Sequence, residues 1–145
     1  MASSTLIQNL SGTGVVSNRR QTETFLAGAA IVTADIGKIA MIDITKTGSD
    51  QLLYVRVAAA VALGNQKACG VILNAAAEGE KVELIVAGYA AIVQTAGSIT
   101  AGLPLAPAVA VDGQAIANVA ANTCRPFGVV LTTGTSPECW IYPQF

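Results

Sequence analysis

The chain contains no histidine, and only 12% of its 145 residues are Asp, Glu, Lys or Arg. Lacking histidine, it lacks the commonest general base, the usual partner of a nucleophilic serine or cysteine, and the commonest metal ligand. Its charged share is about half that of an ordinary soluble domain. The charge present is also unevenly spread, since from Leu84 to Phe145 the only acidic or basic residues are Asp112, Arg125 and Glu138. Such a half-chain either presents a small-residue surface of Ala, Thr and Gly that water tolerates, or is covered by other copies or a partner. The sparse charge favours cover.

Other chemistries fall away in turn. Net charge is −1, and the only basic run is the pair Arg19-Arg20. No patch exists to displace counterions from phosphates, and direct nucleic-acid binding is not expected. Cys69, Cys124 and Cys139 are an odd set at wide spacing. That suits neither a disulfide framework nor a zinc knuckle, so they read as buried small hydrophobes, with one disulfide left open. No serine sits in a Gly-x-Ser-x-Gly elbow. Gly12-Thr13-Gly14 has neither the following helix nor the Lys-Ser/Thr pair of a phosphate loop. Glu78, Glu80 and Glu83 cluster around a turn, with no apolar pocket in sequence to set their pKa values apart. The expectation is a protein that is not an enzyme, with no catalytic residue, cofactor or metal site. The aromatics, Phe25, Tyr54, Tyr89, Phe127, Trp140, Tyr142 and Phe145, are spread singly and read mostly as core packing.

Long apolar runs are missing as well. Residues 84–111 are uncharged, but Gly88, Gln94, Thr95, Gly97, Ser98, Thr100, Gly102, Pro104 and Pro107 interrupt them. A spanning helix needs about 20 predominantly apolar residues, so no membrane partner is expected. Met1-Ala2-Ser3-Ser4-Thr5 has neither the basic nor the apolar region of a secretory leader, and export is not indicated.

What is present is β-structure. Residues 1–24 are rich in Ser, Thr, Asn, Gln and Gly, with sparse anchors at Leu6, Ile7, Leu10, Val15 and Val16. No period is sustained there, and the segment reads as an extended arm or a terminus without a role. The β-rich domain is expected over residues 25–145. Its strand signals are runs of Val, Ile and Thr punctuated by Gly, Asp and Ser, at residues 30–33, 38–45, 51–63, 69–73, 81–86, 89–93, 127–132 and 139–142. In residues 81–86 the alternation is explicit: Val82, Leu84 and Val86 share one face, Lys81 and Glu83 the other. Pro104 and Pro107 confine any strand between them to an edge or a first position. Residues 109–111 and 115–117 flank Asp112-Gly113, a tight-turn dipeptide. Many short strands about 8 to 12 residues apart specify an all-β sandwich or barrel of short antiparallel strands.

The order of turns carries a resemblance. Glu78-Gly79 precedes the strand Val82 to Val86, Gly88 follows it, and Ile99-Thr100-Ala101-Gly102-Leu103-Pro104-Leu105 comes next. Asp112-Gly113 and Arg125-Pro126-Phe127-Gly128-Val129 complete the series. In that order, from Ala68 to Tyr142, the chain resembles the capsid cement, or head decoration, proteins of tailed bacteriophages. The resemblance implies a β-tulip domain, commonly a homotrimer, on the outer surface of the mature capsid, made in the host cytoplasm. Its implied partners are the major capsid protein and itself. An N-terminal arm would add to the capsid protein's sheet, and here that role falls to Thr5, Leu6, Ile7, Leu10, Val15, Val16, Arg19 and Arg20. Two other classes stay open: another assembly module (tail, baseplate or fibre) or a carbohydrate-binding module, and a small enzyme with a β-clip fold.

Overall fold

The computed structural model describes residues 19–59, 68–108, 110–118 and 126–144. Among the described residues nine strands follow one another: β1 (Arg20–Ala27), β2 (Ile39–Ile42), β3 (Tyr54–Val57), β4 (Ala68–Ile72), β5 (Lys81–Ala90), β6 (Pro104–Pro107), β7 (Ala115–Ala117), β8 (Gly128–Val130) and β9 (Cys139–Ile141). Short 3-10 turns at Thr33–Asp35 and Gly48–Leu53 are the helical elements among the described residues. The protein is all-β.

Five strands close into a barrel in the order β1-β3-β2-β4-β5, with β5 pairing back onto β1. Four of these pairings are antiparallel, and β1 runs parallel to β3 through Leu26 opposite Tyr54 and Ala27 opposite Val55. Closure removes the strand edges that an open sheet would expose. β5 is ten residues long and leaves the barrel. Its last three residues, Gly88, Tyr89 and Ala90, pair with Ile141, Trp140 and Cys139 of β9. From there the sheet continues through β8 and β6 to β7.

Period-two alternation divides the apolar residues between two cores. Val82, Leu84 and Val86 pack with Ala27, Ala40, Val55 and Ile72 inside the barrel. On the opposite faces of the same strands, Ile39, Met41, Val71 and Ile85 pack with Leu105, Phe127, Val130 and Ile141 of the second sheet. This explains Leu84-Ile85-Val86: both faces of β5 are covered there, whereas Lys81 and Glu83 remain in water. Each fully buried Leu, Ile or Val contributes roughly 1.5–3 kcal/mol.

Several expected elements differ. Residues 30–33 form one bridge, Ile31 to Ala76, and then a 3-10 turn, because the Asp35 carboxylate accepts from the Val32 N–H at 3.0 Å. Residues 81–86 and 89–93 are not two strands: one strand runs to Ala90 through Gly88, which takes φ +90°. Of the two placements expected for prolines, Pro104 takes the first position of β6, while the strand itself is interior, pairing with β8 and β7 on its two sides, and Pro107 stands last. Ala110 and Val111 are not extended strand, and Val109 lies outside the described residues. The boundary drawn at residue 24 falls within β1, whose Arg20 to Leu26 pair with Gly88 to Lys81.

Candidate assembly surface

The outer face of the second sheet is built by the alternation that fills its core. Gly88, Ile141 and Gly128 form one buried row across β5, β9 and β8, and Ala90, Cys139 and Val130 form another. The row between them, Tyr89, Trp140 and Val129, must therefore point outward, because directly paired residues share a face. Pro104 of β6 extends it beyond Val129, and at the other end the Arg19 carbonyl accepts from the Tyr89 N–H at 3.0 Å. Trp140 is 39% exposed, Tyr142 two residues on is 37% exposed, and Leu131 and Leu103 stand out at 43% and 39%.

Charge is nearly absent from this face. Glu138 lies beside the Tyr89 hydroxyl, and partial burial followed by that carboxylate raises the Tyr89 pKa. Arg19, at the edge of the row, is exposed. Core packing was expected for most aromatics, and the structure corrects this: Phe127 is buried at 2%, while Trp140 and Tyr142 are exposed and Phe25, Tyr54 and Tyr89 half-buried. The signal in sequence was Cys139-Trp140-Ile141-Tyr142, where alternation puts the two aromatics together on the face away from Cys139 and Ile141.

Ile44, Leu52 and Leu53 are also exposed, at 45%, 66% and 52%, in the connection from β2 to β3, which leads into Tyr54 opposite Leu26 of β1. Lys46 lies 5.0 Å over the Tyr54 ring and 3.5 Å from Glu78. A recess of about 250 Å³ is lined by Ala29, Ala30, Arg56, Val57, Ala59 and Asp112.

Glu23 and Glu83 stand in β1 and β5, and the other described acids lie outside the strands. Asp43 is buried and accepts from the Thr45 N–H at 3.0 Å and the Thr45 hydroxyl at 2.7 Å, with Arg56 Nε 3.8 Å away. Glu80 and Glu83 are exposed, and Glu78 faces Lys46. Among the described residues no three His, Cys, Asp or Glu side chains gather as a metal site, and no helix is long and apolar enough to cross a membrane. Cys69 and Cys139 are free and buried, and Cys124 lies outside the described residues.

Of the eight arm residues singled out in sequence, Thr5, Leu6, Ile7, Leu10, Val15 and Val16 lie outside the described residues. Arg19 and Arg20 are described: Arg20 opens β1 opposite Gly88, and both are exposed. Side chains 20–24 are all exposed, so main-chain bonds to β5 hold this half of β1.

No protein-family model and no curated protein matches the chain. Its fold is similar to that of a solved structure, the N base of the head fibre gp8.5 of bacteriophage phi29. The two share a TM-score of 0.54 and 17% identity, over 83% of this chain and 92% of that one, which is a likeness of fold.

Proposed function

We propose that the protein is a structural component of a tailed-phage virion that binds the outer surface of the mature capsid. There it cements neighbouring major capsid subunits against internal DNA pressure. The observation that carries this reading is the aromatic, sparsely charged outer face around Trp140 on a protein whose fold is similar to that of a head-fibre base. The order of turns shared with capsid cement proteins supports it from the sequence side.

Cementing needs no chemistry beyond binding. A segment such as Thr5-Leu6-Ile7-Gln8-Asn9-Leu10 can offer main-chain hydrogen bonds to an exposed strand edge, with alternate side chains filling pockets. Several copies in a homo-oligomer, a trimer in the family the chain resembles, raise one another's effective concentration on the shell. Because decoration binds the expanded shell, it stabilises that state by mass action. A second reading, favoured by the phi29 neighbour, is that the barrel is the base of a head fibre; it shares the capsid surface but not the clamping of neighbouring subunits.

The test is co-sedimentation with expanded shells that lack the protein, followed by heating of decorated and bare shells. Saturable binding with a raised shell-disruption temperature supports cementing, and binding without that rise supports the fibre base. Absence of binding overturns both. The arm is tested with a chain that begins at Arg19, since a later start would remove part of β1.

A further inference from the structure

We infer that the first half of β1 pairs with the same strand of a second copy, in a two-fold contact that sets Arg19 of each copy opposite Glu23 of the other. This contact between copies stands apart from the capsid reading and does not depend on it.

The barrel is closed by a short stretch of β1. Leu26 and Ala27 pair with β3, whereas Arg20 to Thr24 pair with β5 and, among the described residues, with no strand on their other side. The aim of their main-chain groups follows from bonds at both ends of the strand. The Arg19 carbonyl accepts from the Tyr89 N–H, and the Ala27 N–H donates to the Glu80 carbonyl, so odd-numbered residues turn towards β5. The register shift at Gln21 and Thr22 puts the extra residue, Val86, in β5, and β1 keeps its alternation. The N–H and C=O groups of Arg20, Thr22 and Thr24 therefore point away from β5, along a stretch in which every side chain is exposed. Such an edge is a template for another strand.

The order of side chains on this edge selects a second copy. A two-fold axis makes the pairing antiparallel, and opposed residues either both bond across it or both do not, so even numbers meet even and odd meet odd. Few registers remain. With Arg20 or Glu23 on the axis, that residue opposes itself, and like charges directly opposite are destabilising. With Thr24 on the axis, Thr22 would need the main-chain groups of Leu26, which serve β3. With Thr22 on the axis, Gln21 meets the partner's Glu23 and Arg19 meets the partner's Phe25. With Gln21 on the axis, Arg19 meets the partner's Glu23, Arg20 bonds the partner's Thr22, and symmetry repeats both. This register alone sets opposite charges against each other, and Arg19, Gln21 and Glu23 share the face on which they meet.

The test is disulfide trapping in the full chain with Cys124→Ser, where Cys69 and Cys139 are buried. Gln21 on the axis is a non-bonded pair with Cα atoms about 4.5 Å apart, within disulfide reach, whereas the two Thr22 residues are diagonal neighbours at about 7–8 Å. With diamide as oxidant, Gln21→Cys is expected to form linked dimer at least about tenfold faster than Thr22→Cys. In the Gln21→Cys chain, Arg19→Glu and Glu23→Arg are each expected to slow linkage at least about fivefold, and the two together to restore it.

Faster linkage through Thr22→Cys would overturn the register. Equally slow linkage at both positions would show that something other than a second copy covers the edge, and would overturn the inference. Loss of linkage in both charge variants without recovery in their combination would show damage to β1 rather than a broken ion pair, and would overturn the Arg19–Glu23 pairing. Binding to expanded shells is read separately, so failure of the capsid reading leaves each of these outcomes intact.

Discussion

Gly28 lies directly against the buried carboxylate of Asp43. A β-carbon built at Gly28 would fall inside contact distance of Oδ2 and 2.9 Å from Cγ. Gly28 also donates to the Val55 carbonyl at 2.7 Å, and Asp43 to the Tyr54 carbonyl at 2.8 Å, so neither backbone can retreat without breaking a barrel hydrogen bond. Its φ is not positive, and the requirement for glycine is one of space. Gly28→Ala is expected to cost about 2–3 kcal/mol, read as a lower urea midpoint at unchanged slope.

Acid should destabilise the protein through Asp43 and Asp35. Burial pushes the Asp43 carboxyl up, but the Thr45 bonds and then the charges of Arg56 and Lys46 outweigh it, leaving its pKa below 3.8. At Asp35 burial likewise raises, while Lys38 at 2.7 Å and the Val32 N–H bring the net direction down. Both carboxyls therefore bind protons less readily folded than unfolded. Their contribution is complete above the ordinary carboxylate pKa of about 3.9 and is lost as pH falls through the lower folded value. With no histidine to titrate, the urea midpoint should be flat from about pH 5 to 8 and drop below about pH 4. Asp43→Asn should cost about 2 kcal/mol at neutral pH and make the acid drop shallower.

Gly88 is required twice. It takes φ +90°, and a β-carbon there would collide with the Arg19 carbonyl and stand 2.9 Å from the Arg20 Cα. Gly88→Ala is expected to cost at least about 2 kcal/mol and to spring the first half of β1 from β5. Amide exchange should then lose protection at Arg20 to Thr24 before the rest of the barrel does.

The described thiols should be inert in the folded protein. Burial raises both Cys69 and Cys139 to about 12, Glu138 adding to the rise at Cys139, and neither is more than 2% exposed. In a Cys124→Ser background, a thiol reagent at pH 8 should label nothing until denaturant is added. Raised thiol values also mean stability that is complete below the unfolded thiol pKa of about 8.5 and lost as pH rises towards the folded value.

Alternation made part of this fold legible in sequence. Val82, Leu84 and Val86 face the barrel interior and Lys81 and Glu83 face water, as their spacing dictates. Asp112-Gly113 was recognisable as a turn, but its second role was not. The Gly113 N–H donates to the Ala58 carbonyl and its own carbonyl accepts from the Ile39 N–H, both at 2.7 Å, joining the second sheet to the barrel. β1 was hidden, because Arg20-Gln21-Thr22-Glu23-Thr24 buries no side chain and is a strand only through main-chain bonds to residues some sixty positions away.

By itself, then, the sequence determined the all-β class, the placing of most turns, and a C-terminal half almost without charge, since all three follow from residue types and a period of two that is read locally. Tertiary structure alone decided that β1 closes a ring with β5 and that the apolar residues divide into two cores. Those outcomes depend on which strand lies over which face. Such contacts join residues far apart in the chain and leave no mark on the local pattern of either partner.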